Sequence, residues 1–380
     1  MKKAYLIIAV TSILIGCSKN GPDTPRDPNA WMYDESLPVP VMMNSVTEAA
    51  TKASVEDLDG IKIGVMGLDG QEGQPDWKWL NGVSYPEHVG IILNNQEATI
   101  DNNGEITFTG GPKYYPIAGS NAYNFYAYHP ICSGLNFSQS SNCYTATYSN
   151  IGETDILWAD ATRDPGYNAA YIRGQLELKN EGKISEEDWK NANPNFNFEH
   201  KLTYLKFKLQ ATKENALNLN EAGVKITGLK ITNTYNKVQL IIADRYNPEN
   251  NGTVVPTGTA YTPISLKKDG NATFALDINS GTTDDKGNKV LEFGDGLILL
   301  PEPKEEQFTG ELTISRGDGI TETLPLIFKD PKLESEGRNF IAGHKYTFSI
   351  VLKQLATLQA YASLVGWETD DDEIIEVDQF

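Results

Sequence analysis

The sequence predicts an all-β chain built as two sandwiches in tandem, on three observations. From Ile61 onward it is a succession of short apolar runs of strand length, broken by glycine, asparagine, aspartate and proline. Several of these runs alternate, most clearly Lys345 to Leu352 (KYTFSIVL), in which Tyr346, Phe348, Ile350 and Leu352 share one side. The length of 380 residues suggests two units, each large enough to bury its own core.

The chain opens with Lys2 and Lys3, an apolar run from Ala4 to Ile15, and Gly16-Cys17. That run falls short of the roughly 20 residues needed to cross a bilayer, so residues 1–16 read as a secretory signal. A cysteine directly after a small residue resembles the bacterial lipoprotein signal, with Cys17 acylated and the cut falling before it. Each buried methylene would contribute about 0.8 kcal/mol, so two or three acyl chains hold such a protein essentially permanently. Ser18 is not a retention residue, and outer-membrane placement is expected. Residues 17–52 then form a tether, proline-broken from Ser18 to Ala30. Within it, Trp31 to Val46 (WMYDESLPVPVMMNSV) either lies extended in a groove or is plain linker, and Pro38 and Pro40 bar it from a central strand position.

The first sandwich is expected over 53–190. Ile61 to Met66, Val89 to Leu93, Glu105 to Phe108 and Asn121 to Tyr128 have strand lengths, and Asn103-Gly104 predicts a hairpin joining Ala98–Ile100 to Glu105–Phe108. In the aromatic run from Tyr123 to Tyr128, Tyr123, Phe125 and Ala127 make a core row. Tyr126 and Tyr128 on the opposite face are either structural or a stacking platform. Ser185 with Asp188 caps a short helix to Lys190, in a polar stretch where the boundary falls. The second sandwich, 191–380, takes strands at Leu202–Leu209, Val224–Ile231, Lys237–Ile242, Thr273–Ile278, Gly296–Leu300, Gly310–Arg316, Thr323–Phe328 and Lys345–Leu352, with a short helical stretch within Glu214 to Leu219.

Acidic residues number 51 against 32 basic, a net charge of −19, with no basic run to displace phosphate counterions. Nucleic acid and peripheral adsorption to anionic lipid are therefore disfavoured, leaving Cys17 as the membrane contact. Cys132 and Cys143 are spaced for a disulfide in an oxidising compartment. His88, His129, His200 and His344 stand singly, there is no nucleophile elbow or phosphate loop, and neither an enzyme nor a cofactor is expected. The cluster Asp370 to Glu373 reads as a solvated turn in preference to a calcium site. Trp77 and Trp79 would face the same way in a strand, either covering the end of the sandwich or stacking on sugar rings with Asp69, Glu72 or Asp76 accepting hydroxyl protons.

Several segments, taken in order, resemble the fimbrillin-like proteins of Bacteroidales, a family of pilus subunits and pilus anchors. They are Tyr114-Tyr115-Pro116 with Tyr123 to Pro130 (YNFYAYHP), Thr154 to Ala159 (TDILWA), Phe198 to Leu202 (FEHKL), Leu205 to Phe207, Gly223 to Leu229 (GVKITGL), Ala342 to Phe348 (AGHKYTF) and Gly366-Trp367. The resemblance implies two transthyretin-like Greek-key β-sandwich domains, outer-membrane export as a lipoprotein, and work as a structural subunit among other pilin subunits. It further implies a surface protease that cuts after a basic residue and removes the leader with the first strand. Lys52 is the best match and Arg26 the second, although a cut at Arg26 would leave Trp31 to Val46 attached. The vacated groove would accept a strand from another subunit, for which Ile374, Ile375, Val377 and Phe380 are the donor candidates unless the tail completes its own sheet. A stalk or accessory subunit is favoured over an anchor, and a surface glycan-binding lipoprotein is the alternative.

Overall fold

The computed structural model describes residues 29–46, 58–70, 76–78, 90–116, 121–301, 307–329, 340–353 and 359–365. The chain order begins with β1 (Asn44–Val46), β2 (Lys62–Asp69), β3 (Ile91–Ile100), β4 (Ile106–Phe108), β5 (Tyr123–His129), β6 (Asn136–Ser138), β7 (Cys143–Ser149) and β8 (Leu157–Ala161). Helices α1 (Ala169–Asn180) and α2 (Glu186–Asn191) follow, then the short strands β9 (Asn195–Asn197) and β10 (Glu199–His200). One antiparallel sheet runs β10-β8-β5-β2-β3-β4. Its β3–β4 hairpin has the expected register, Ala98 opposite Phe108 and Ile100 opposite Ile106. Gly104 takes the positive φ of +79° that the turn needs, and Asp101 accepts from the Asn103 and Glu105 amides. Strand β3 is longer than the sequence suggested, continuing through Asn95, which adopts a left-handed φ of 50° beside a register shift.

This sheet is apolar on both faces. Ile63, Val65, Tyr123, Phe125 and Ala127 enter one buried cluster, while Met66, Leu68, Tyr126 and Tyr128 enter another. Tyr126 and Tyr128 are therefore core residues, and the row is no exposed platform. The second face is covered by a four-stranded sheet β14-β13-β7-β6, of which β13 (Lys237–Asp244) and β14 (Val254–Pro256) come from far along the chain. Before them lie β11 (Thr203–Ala211), α3 (Lys213–Glu221) and β12 (Lys225–Ile231). Strand β13 pairs along β7 from Lys237 opposite Ser149 to Asp244 opposite Cys143. The ladders thus cross the expected boundary at 190, because β9, β10 and β13 pair with strands that precede it, and β14 joins the same sheet through β13.

The remaining strands are β15 (Ile264–Ser265), β16 (Thr282–Thr283), β17 (Lys289–Glu292), β18 (Leu297–Leu299), β19 (Phe308–Ser315), β20 (Thr321–Phe328), β21 (Lys345–Lys353) and β22 (Gln359–Val365). They form sheets β16-β17-β11-β21-β22 and β15-β12-β19-β20, with β18 also on β11. Strands β11 and β21 lie parallel, pairing Leu205 with Tyr346, Phe207 with Phe348 and Leu209 with Ile350. All six side chains join the core that the two sheets share. Pro325 is tolerated because β20 is an edge strand. The strand expected at Thr273–Ile278 reduces to one bridge, Ile226 with Leu276, because Asp277 turns the chain into a short 3-10 helix by accepting from the Asn279 amide.

Candidate functional site

The feature that most invites a functional reading is residues 29–46, which fill a slot in the first unit. Val39, Val41, Met43 and Ser45 alternate inward, each less than 10% exposed. The backbone between them is paired. The Tyr115 amide donates to the Val39 carbonyl at 2.9 Å, the Val41 amide to Lys113 at 2.8 Å, the Ile106 amide to Met43 at 3.1 Å and the Ser45 amide to Gly104 at 2.7 Å. Pro40 stands opposite Tyr114, a position where the ladder asks nothing of its missing N–H because Val39 and Val41 carry the bonds on either side. On the other flank, β1 runs parallel to β9, and the Asn44 amide reaches the Pro194 carbonyl at 3.0 Å. Of the two readings of this segment, the groove-bound one is the structure's.

Of these, Val39, Val41 and Met43 join Trp31, Ile63, Val65, Phe108, Tyr115 and Phe196 in one apolar cluster, together with Ile172 and Leu176 of α1 and Trp189 of α2. Both helices are fixed locally. The Asn168 side chain accepts from the Tyr171 amide at 2.8 Å, and Ser185 and Asp188 exchange the reciprocal bonds of a capping box, each at 3.0 Å. Those bonds from Ser185 hold the Asp188 carboxyl below its ordinary value. Lys179 ties the helices together through Glu186 at 2.9 Å.

Ahead of the ladder the chain makes a hook. Residues Ala30–Met32 form a 3-10 turn, and further turn bonds join Asp34 to Ala30 and Leu37 to Asp34. Arg173 of α1 gathers the carbonyls of this hook, its Nη1 donating to Trp31 at 2.8 Å and its Nη2 to Leu37 at 2.7 Å. Sequence reasoning missed both α1 and Arg173. The signal was present in Asn168 ahead of Ile172 and Leu176 at helical spacing, but Gly174 interrupts it.

Of the residues singled out from sequence, Cys17, Arg26, Lys52, Trp79, Ile374, Ile375, Val377 and Phe380 lie outside the described residues, as do Glu72 and Asp370 to Glu373. Trp77 is buried, its Nε1 donating to the Asp69 carbonyl at 2.9 Å, its ring 6.2 Å from that of Tyr144 and capped by the Arg245 guanidinium at 5.5 Å. It packs the sandwich and offers no face to a sugar. Asp69 is buried as well, and Asp76 is engaged by Tyr246 and Asn142. The expected Cys132–Cys143 bond is absent, and both thiols are free. Cys132 Sγ lies at the Thr147 carbonyl, four residues along β7 from Cys143. At about 3.4 Å per residue this is about 13 Å, twice the reach of a disulfide. Among the described residues no cluster could hold a metal ion, and no helix is long and apolar enough to cross a membrane.

A predominantly β protein with an edge closed by its own residues 29–46 is the class these features define. Residues 50–367 match the model of the fimbrillin-like family, and the chain belongs to that family. It is a structural protein of the outer-membrane surface, a fimbrillin-family subunit. Nothing among curated proteins matches. Solved structures similar to it include a candidate cell adhesion protein from Bacteroides uniformis, at 18% identity and TM-score 0.45, covering 86% of this chain and 96% of that one. Another, from Bacteroides eggerthii, has 8% identity and TM-score 0.44, with 87% and 96% covered. The fimbrial anchor protein Mfa2 from Porphyromonas gingivalis has 10% identity and TM-score 0.35, with 87% and 98% covered.

Proposed function

We propose that the chain is a stalk or accessory subunit of a fimbrium, delivered as a lipoprotein through Cys17 and assembled by strand exchange. A surface protease cuts after Lys52, residues 29–46 leave their slot, and an extended segment of another subunit takes their place. The observation that carries this reading is the slot itself: a paired, alternately buried segment that lies N-terminal to the cut and covers apolar side chains of the body. An empty slot exposes unpaired amides, carbonyls and core side chains to water, which is unfavourable, and a donated strand closes all of them at once. Such head-to-tail contact does not close on itself and extends into a fibre.

The donor on this reading is the tail. Ile375 and Val377 have the two-residue spacing of Val39 and Val41, with Ile374 and Phe380 flanking them. A cut at Arg26 would leave the slot filled, which is why Lys52 is the productive site. The two packed sheet pairs are read as transthyretin-like Greek-key sandwiches. Burial of Trp77 counts against the paired-indole surface on which the glycan-binding alternative was drawn.

The test is to cleave the purified chain after Lys52 and follow multimers by gel electrophoresis in SDS. Resistant ladders that form only after cleavage, and vanish when residues 374–380 are deleted, are expected. A cleaved chain that has lost residues 29–46 yet stays monomeric at high concentration overturns the proposal.

A further inference from the structure

The hook held by Arg173 bears on what happens between the cut and the exchange. We propose that Arg173 is a clasp that retains residues 29–46 on the body after the chain is cut, so that release requires a competing strand and not proteolysis alone. This rests on the reading that the segment is removable, but it concerns retention and not polymerisation.

The geometry separates the two ends of the segment. The ladder end, β1, leads directly toward Lys52, so a cut there frees the chain beyond Val46. The opposite end is the hook, and Arg173 holds it by backbone carbonyls: Trp31 at 2.8 Å, Leu37 at 2.7 Å, and Asp34 and Glu35 at 3.4 Å. All four acceptors belong to the segment and the donor belongs to the body. The hook's own turn bonds aim these carbonyls at one point, which suits the planar fork of a guanidinium and not the single ammonium of a lysine. Trp31, 4% exposed, anchors the same end in the apolar cluster, and Ile172 and Leu176 seat α1 behind Arg173. The segment therefore peels from Val46 toward Trp31, and an incoming strand displaces it in that order, pairing first beside β9 and Gly104 and only later reaching the clasp. Since residues 17–28 connect the hook to Cys17, a cut subunit stays attached to the lipid anchor through the Arg173 contacts until the exchange completes.

The experiment places a site for a specific protease within residues 47–57 of the full chain, cleaves it, and follows by size exclusion the fraction of the N-terminal fragment that co-elutes with the body. In the wild type the fragment stays bound and exchanges slowly with a labelled synthetic peptide of residues 29–46. Arg173→Ala accelerates dissociation at least about tenfold, the scale of one charge-assisted hydrogen bond lost, and Arg173→Lys falls between. A second peptide, residues 38–46, lacks the hook and leaves the Arg173→Ala body at the same rate as the wild-type body. Equal loss of the long peptide from both bodies, or equal acceleration of both peptides in the variant, overturns the clasp; the latter pattern is that of a general loosening of α1. Melting of the uncut variant at the wild-type temperature excludes global unfolding. A body that holds its fragment by the clasp but never forms ladders would leave this inference standing and remove strand exchange.

Discussion

Single side chains here carry consequences that can be read from their surroundings. The Tyr115 hydroxyl is buried with no hydrogen-bond partner among the described residues, and burial holds its pKa well above the ordinary value. Since an unsatisfied buried hydroxyl costs about 1–3 kcal/mol, Tyr115→Phe should raise stability by about 1 kcal/mol in urea unfolding. Burial, with the Asp244 carboxylate behind it, pushes the Cys143 thiol from 9.0 up to about 11. The folded chain thus holds that proton more tightly than the unfolded chain. Stability is fully present below the unfolded value and is lost as pH rises from 9.0 toward about 11. Cys143→Ala should lessen the pH dependence of urea unfolding most clearly between pH 9 and 10, since the Cys132 thiol is raised as well and the loss from Tyr126 and Tyr144, both raised from 10.0 to about 12, begins at pH 10. The alternation of Tyr123, Phe125 and Ala127 was legible in the sequence, and of the two readings of Tyr126 and Tyr128 the structural one holds; what the sequence could not show is that the strand is covered on both faces.

Among the elements, the segment before β2 shows how local chemistry and long-range pairing divide the work. Its prolines bar it from a central strand but left a groove-bound piece and a plain linker equally open, whereas the capping box of α2 announces a helix start that could be read directly. What the segment pairs with could not, because Lys113, Gly104 and Pro194 are brought to it only by the finished fold. The length of β3 was hidden by Asn94-Asn95, which reads as a turn and is accommodated as a shift in register. Val41→Asp puts a carboxylate at a position 5% exposed, at a cost of several kcal/mol to the docked state. The expected result is that residues 29–46 leave the slot and become cleavable in limited proteolysis while the far-ultraviolet circular dichroism of the rest is retained. Unchanged resistance would mean that the slot tolerates charge.

At the scale of the molecule, the predominance of β-sheet and most strand positions followed from periodicity, whereas the division into units did not. Composition places a boundary in the polar stretch near 190, yet β13 and β14 return to close the first unit after β11 and β12 have begun the second. Leu202, Ile298 and Leu300 sit in the same cluster as Tyr144, Val238 and Leu240, so the two units also share buried surface. Heating should therefore give one transition, coincident by calorimetry and by near-ultraviolet circular dichroism. Residues 1–190 expressed alone should bind hydrophobic dyes, because the edge of β7 that β13 pairs with is left open and Val238, Leu240 and Ile242 no longer cover their share of the cluster with Met66, Tyr126 and Tyr128. Two separated transitions would show that the units unfold independently. The return of β13 also changes how such a subunit bears a pull. A chain threaded back into its first half has no bare joint to stretch: force entering at one end and leaving at the other must slide β13 along β7, loading many hydrogen bonds together instead of one after another. On the proposed strand exchange, a filament of these subunits would be stiffer within each link than between links, and it would part where strands were borrowed before it parted inside the subunit.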